Sequence, residues 1–154
     1  MNVFLADEQS SPVDVSEIIP LAEHVMRMEQ LPEESEVAIV LIDNAEMARY
    51  NELYMGKEGP TDVLSFPIED GRPGEPPQRD PEGPPVNLGD IFIAPDVVRA
   101  NAERSGTDFQ GELALMVVHG MLHLLGWDHQ GDADAERMEA RERDLLAVVG
   151  RTRP

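Results

Sequence analysis

The sequence predicts an α+β fold, a small mixed sheet of four strands packed with about five helices around one buried central helix. Three observations lead there. Apolar runs with strand character and amphipathic runs with helix character follow one another in an order that does not strictly alternate, which disfavours a doubly wound parallel sheet. One stretch, Thr107 to Gly126, is apolar on almost every side and has to be the centre of the core. The chain has 154 residues, 41% of them apolar, and reads as a single domain over residues 1–154, large enough to enclose such a helix.

Taken in order, Asn2 to Ala6 is short and apolar enough for an edge strand. Asp14-Val15-Ser16 opens an amphipathic helix whose Ile18, Ile19, Leu21, Ala22, Val25 and Met28 share one face. Glu36 to Ile42 is a strand with a continuous apolar run, broken by Asp43-Asn44 before a helix from Ala45 to about Tyr54. Asp62 to Ile68 is the next strand, opened by Gly59-Pro60. The proline and glycine residues between about 69 and 86 rule out a packed element and predict a flexible loop inside the domain. Leu88 to Ala94 is the fourth strand, and Pro95 starts a helix that runs to about Ser105. Asp132 begins the last helix, with Met138, Leu145, Leu146, Val148 and Val149 turned to the core.

The central helix carries its own punctuation. Thr107 and Gln110 are spaced as a capping box, Asp108 suits the positive end of the helix dipole, and Gly126 stands where a left-handed residue ends a helix. The residues between leave almost no polar face, so the helix is expected to be buried on all sides. Yet three of the four histidines of the chain, His119, His123 and His129, fall in or just after it. His119 and His123 are one turn apart and project from one face. Gly126 lets the backbone reverse, and Trp127-Asp128 is short enough to return His129 toward that face.

A single histidine in an apolar helix is usually a core residue with a satisfied hydrogen bond. Three at offsets of zero, four and ten, with glycine at seven, are a ligand set. Three imidazoles with a fourth position left to water characterise a catalytic zinc site, whereas closed structural sites want four ligands, often thiolates, and this chain has no cysteine. One Zn2+ per chain is expected, with nickel, cobalt or copper compatible with the same donors. The offsets match the long zincin motif H-E-x-x-H-x-x-G-x-x-H except that Gly120 stands in place of the general-base glutamate. The cradle is zincin-like, and the group for peptide hydrolysis is missing. His24, far from the cluster, is assigned to the surface.

The run His119-Gly120-Met121-Leu122-His123-Leu124-Leu125-Gly126-Trp127-Asp128-His129 resembles the signature of the YbeY family, bacterial metal-dependent endoribonucleases of ribosomal RNA maturation. Gly59-Pro60-Thr61-Asp62-Val63-Leu64-Ser65-Phe66-Pro67 and Leu88-Gly89-Asp90-Ile91 resemble the family's other marked segments, in the same order, so the likeness runs from about Asn51 to Val149. It implies the same α+β fold. It also implies a single-strand-specific endoribonuclease acting in 16S rRNA 3′-end maturation and ribosome quality control, in which a metal-activated water attacks the phosphodiester. Its partners would be single-stranded ribosomal RNA, the small ribosomal subunit and associated assembly factors, with neither DNA nor a membrane. Many members carry an arginine just before the Gly-Lys that precedes the strand; here that position is Met55, before Gly56-Lys57. Lys57, the only lysine, or another arginine then has to stand in to hold the scissile phosphate. The other candidates are Asp128, to orient His129 or a water, and Glu112, which shares the histidines' face or is simply a surface carboxylate near the helix start. Thr61, Asp62 and Ser65 line a cleft or belong to an ordinary strand.

Bulk properties limit these readings. Twelve Lys and Arg against 31 Asp and Glu give a net charge of −19, which excludes a protein that coats nucleic acid through phosphate contacts alone. RNA binding then needs a local basic patch near the metal, drawn from Lys57, Arg49 or the arginines at 137, 141, 143, 151 and 153, or a ribosomal partner that delivers the substrate. No apolar run approaches the ~20 residues of a membrane span, no signal segment is evident, and the lack of cysteine suits a reducing compartment, so a cytoplasmic protein is expected. Two alternatives stay open: a metal-dependent hydrolase of another substrate such as peptide, and a non-catalytic ribosome-assembly factor whose metal supports the fold.

Overall fold

The computed structural model describes residues 1–154. Its sheet contains β1 (Asn2–Glu8), β2 (Ser35–Ile42), β3 (Val63–Pro67) and β4 (Val86–Ile93) in the spatial order β1-β2-β4-β3. β1 and β4 both run parallel to β2, while β3 is antiparallel to β4, so the sheet is mixed as expected and β1 is an edge. The helices are α1 (Ile18–Met28), α2 (Asn44–Met55), α3 (Pro95–Ser105), α4 (Phe109–Leu124) and α5 (Asp132–Val148). None of them is long and apolar enough to cross a membrane.

Helix α4 is the hub. It packs against α1, α3, α5, β3 and β4, and Val117, Val118, Met121 and Leu122 on it are fully enclosed. They join Ile39, Leu41, Leu88, Ile91 and Ile93 of the sheet and Ala22, Val25 and Met26 of α1 in the main core. The opposite sheet face meets α2 through a smaller cluster of Ile42, Met47, Leu64 and Ala94, extended by Tyr50, Phe66 and Phe92. The expectation that α4 is buried on all sides needs correction. Glu112, Met116, His119 and His123, spaced four, three and four residues apart, form one half-open stripe along it. Of these, His119 and His123 face a cleft, while Met116 packs against the core and Glu112 meets the Thr107 hydroxyl.

The caps of α4 shift by one residue from the expected box. Asp108 is the N-cap, its Oδ2 accepting from the Gly111 N–H at 3.0 Å, and Thr107 donates instead to Glu112 Oε1 at 2.7 Å. Helix α1 starts at Ile18, later than Asp14. Pro20 lacks an N–H and has to lie in the first turn, and the Asp14 carboxylate is already engaged by the Ser16 amide and hydroxyl. His24 is half-buried rather than on the surface, its Nε2 3.2 Å from the Leu145 carbonyl between α1 and α5. The loop expected at 69–86 has no helix, and β4 starts within it at Val86. It is held at two points, Gly71 against the end of α4 and Arg79, which pairs with Glu34 at 2.9 Å and donates to the Gly83 carbonyl at 2.7 Å.

At the end of α4 the Gly126 N–H bonds to His123 O at 3.1 Å and the Trp127 N–H to Leu122 O at 3.0 Å. This pair of bonds needs a left-handed residue, and Gly126 has φ +94°. A Cβ there would lie 2.1 Å from the Gly71 carbonyl oxygen, whereas one at Gly150, also left-handed with φ +79°, would meet nothing within 4 Å. Gly150→Ala should therefore cost about 1 kcal/mol of unfolding free energy, for the backbone alone, and Gly126→Ala about 2–4 kcal/mol, since overlap adds to it. Urea unfolding of the two variants checks this; equal losses would mean that the contact at Gly126 is easily relieved.

Candidate metal centre

Two adjacent turns of α4 and the reversal at Gly126 bring the three imidazoles together. One ring nitrogen from each of His119, His123 and His129 lies within 4.8 Å of the others, and the Nε2 atoms of His119 and His123 are 3.1 Å apart. Tetrahedral zinc with nitrogens at about 2.0–2.1 Å places its donors about 3.3 Å from one another, so the cluster is near the size that such an ion requires. The rings of His119 and His129 stack with centroids 5.5 Å apart, and His123 stands edge-on to both. His119 and His123 are half-buried and His129 is exposed, so the face toward solvent is open.

Burial, first of all, and then the neighbouring His119 and His129 push the His123 pKa below its ordinary value, against a smaller opposing pull from Asp128 and the Trp127 backbone. The ring is thus kept neutral and free to donate a lone pair. Behind His119, on the side away from the cluster, its Nδ1 faces Glu142 Oε2 at 3.4 Å. That carboxylate is 1% exposed, and its Oε2 has no hydrogen-bond partner. A buried acceptor placed there favours the tautomer with the proton on Nδ1, leaving Nε2 for a metal. Glu142 was not foreseen. Its signal lies in α5, where Met138, Glu142, Leu145 and Leu146 share the helix's buried stripe, and a glutamate at a core position needs a partner.

The three histidines open into a cavity of about 410 Å³. Asn51 and Met55 of α2, Lys57, Thr61 and Asp62 of the connecting segment, and Ser65 and Pro67 of β3 complete its wall. Lys57 is the only cation among the lining residues and Asp62 the only carboxylate. The Asn51 side chain donates to the Gly59 carbonyl at 2.9 Å and the Lys57 N–H bonds to Asn51 O at 3.3 Å, so a buried amide fixes the segment that carries the lysine. Asp62 Oδ1 accepts from the Val63 N–H at 2.8 Å and from the Thr61 hydroxyl at 3.3 Å, and Ser65 donates to the Gly120 carbonyl at 3.2 Å. Met55, where the family arginine was looked for, is also on this wall.

Other candidates lie outside the cavity wall. Asp128 is exposed and its Oδ1 accepts from the His129 N–H at 2.7 Å, which holds the turn that carries that histidine. Glu112 takes the Thr107 hydroxyl, away from the imidazoles. Arg49 is tied to Glu46 and lies over the Tyr50 ring, and of the arginines near the C-terminal end, those at 137, 141, 151 and 153 face carboxylates within 4 Å, so they do not form a basic patch at the cavity. A larger concavity, about 500 Å³, lies by Ser16 and Gly150, but its one cation, Arg151, is held by Glu17 through two hydrogen bonds.

Gly120 has a steric explanation. A Cβ there would lie 2.9 Å from Ile91 Cγ2 and 3.3 Å from Ser65 Oγ, so the position points into the seam between α4 and the sheet. A glutamate does not fit between them.

Comparison with known proteins now places this geometry. The family profile described as Endoribonuclease YbeY matches residues 4–150. The chain belongs to the YbeY family. Curated relatives bearing the name Endoribonuclease YbeY include one from Acidothermus cellulolyticus, 42% identical over 150 residues that cover 96% of this chain and 91% of the relative. Another, from Thermobifida fusca, is 36% identical, covering 96% and 93% respectively. The YbeY protein of Micrococcus luteus is 37% identical over all of this chain and 96% of its own length. The fold is similar to the solution structure of a Thermotoga maritima protein, with a TM-score of 0.56 at 23% identity, over 96% of this chain and 91% of that one.

Purified protein should bind one zinc ion per chain, and His119→Ala combined with His123→Ala should bind none while retaining its circular dichroism spectrum. Elemental analysis after gel filtration checks this, and full zinc content in the folded double variant would place the ion elsewhere.

Proposed function

We propose that this chain is a zinc-dependent, single-strand-specific endoribonuclease that acts in the cytoplasm in 16S rRNA 3′-end maturation and ribosome quality control. One observation carries the reading: three imidazole nitrogens converge on a cavity that also holds the chain's only lysine, in a protein whose curated relatives are named endoribonuclease. Single-stranded RNA fits the open approach, since His129 is exposed and a flexible strand bends into a cleft more readily than a duplex does. The net charge of −19 gives little general affinity for RNA, which supports delivery of the substrate by the small ribosomal subunit and its assembly factors.

In this reading His119, His123 and His129 hold the ion. When bound, zinc supplies Lewis acidity toward a phosphate oxygen and lowers the pKa of a coordinated water toward ~7. Burial keeps the His123 ring neutral, so no proton competes for its lone pair at neutral pH. Lys57 stands on the cavity wall where a scissile phosphate comes to rest and offsets the charge that develops on it. Asn51 keeps that lysine in place through the Gly59 carbonyl. Asp128 acts on catalysis through the turn it braces, by setting where His129 points.

Chelation should abolish cleavage of a single-stranded ribosomal RNA fragment and added zinc restore it. Lys57→Ala should lower kcat/KM by about 100-fold while leaving zinc content unchanged. Gly120→Glu, which completes the zincin spelling, should lose thermal stability and show no turnover of casein. Undiminished RNA cleavage by the folded variant lacking His119 and His123 would overturn the proposal.

A further inference from the structure

Of the four buried side-chain polar atoms that lack hydrogen-bond partners, two face each other. Glu142 Oε2 and Arg153 Nε are 3.8 Å apart, and the same Oε2 is 3.4 Å from Nδ1 of His119. Both atoms are inaccessible to solvent, so neither is satisfied by water. Arg153 Nη2 also approaches Glu139 Oε1 at 3.8 Å. A guanidinium is therefore lodged over the carboxylate that backs a metal ligand.

The chain after α5 is shaped to bring it there. Gly150 turns the backbone with φ +79°, and the Arg151 N–H bonds back to Leu146 O at 2.9 Å. The Arg151 guanidinium makes two hydrogen bonds to Glu17, at 2.9 and 2.6 Å, which clamp the segment onto the start of α1. Two residues on, the Arg153 side chain is 24% exposed and reaches the buried side of α5.

We propose that Arg153 is a positioning residue for the metal centre, acting through Glu142 on His119. The buried carboxylate of Glu142 can point its Oε2 at His119 only if something holds it against the alternatives, and the Arg153 guanidinium is the cation beside it. Held so, Glu142 is placed to accept a hydrogen bond from the Nδ1–H of His119, which fixes the ring plane and leaves Nε2 directed at the cluster. The inference rests on His119, His123 and His129 being the ligands. It adds that affinity for the ion is set in part by a segment remote in sequence from all three.

The test titrates zinc into metal-free protein against a chromophoric chelator. Arg153→Ala should weaken zinc affinity by at least about ten-fold and Arg153→Lys should recover most of the loss, while Arg137→Ala, on the exposed side of α5, should match the wild type. Arg153→Gln is titrated alongside, so that the comparison survives if the alanine variant does not fold. In the metal-free protein, 15N spectra of the His119 ring should show the Nδ1-protonated tautomer, and a mixture in the Arg153 variants. Wild-type affinity and an unchanged ring spectrum in a folded Arg153 variant overturn the inference alone. A folded wild-type protein that takes up no zinc overturns both it and the proposed function.

Discussion

A helix enclosed by three other helices and the sheet can carry polar side chains only along the line where the packing stops. That constraint governs α4. Val117, Val118, Met121 and Leu122 are fixed in the core, while His119 and His123 lie on a half-buried stripe of the helix and line the cavity. The rigidity of the core is passed to the two imidazoles, because both are rooted in a helix whose neighbouring residues are packed. Gly120 belongs to the same constraint: its missing side chain lets α4 approach Ile91 and Ser65 closely, which brings β3 and the Lys57 segment up to the histidines.

Much of this was legible in the residues themselves. The i, i+4 histidines and the glycine that reverses the chain are local features, and local geometry is what a sequence encodes most directly. The bounds of α3 could be read for the same reason, with Pro95 at its first turn and the left-handed Gly106 at its end. The start of α1 was misread because Asp14 looked like a cap, while Pro20, which confines the first turn, was overlooked. His24 looked like a surface residue because the Leu145 carbonyl it meets lies 121 positions away. Glu142 was missed for a related reason: it follows the histidines on the next helix, and only the packing of α5 on α4 brings it behind His119.

Electrostatics give the site its character. A chain with 31 acidic and 12 basic residues turns most of its arginines toward its own carboxylates, at Glu17, Glu23, Glu29, Glu34, Glu46, Asp134 and Glu139. At the cavity wall Lys57 is the only cation and Asp62 the only carboxylate. A chain this acidic offers a polyanion little general attraction.

The central claim is that three imidazoles share one ion with a side open to water. X-ray absorption spectroscopy of the zinc-loaded protein tests it most directly. The account predicts three imidazole nitrogens at about 2.0–2.1 Å, with one further light-atom scatterer. A first shell containing sulfur, or one with fewer than three imidazoles, would contradict it.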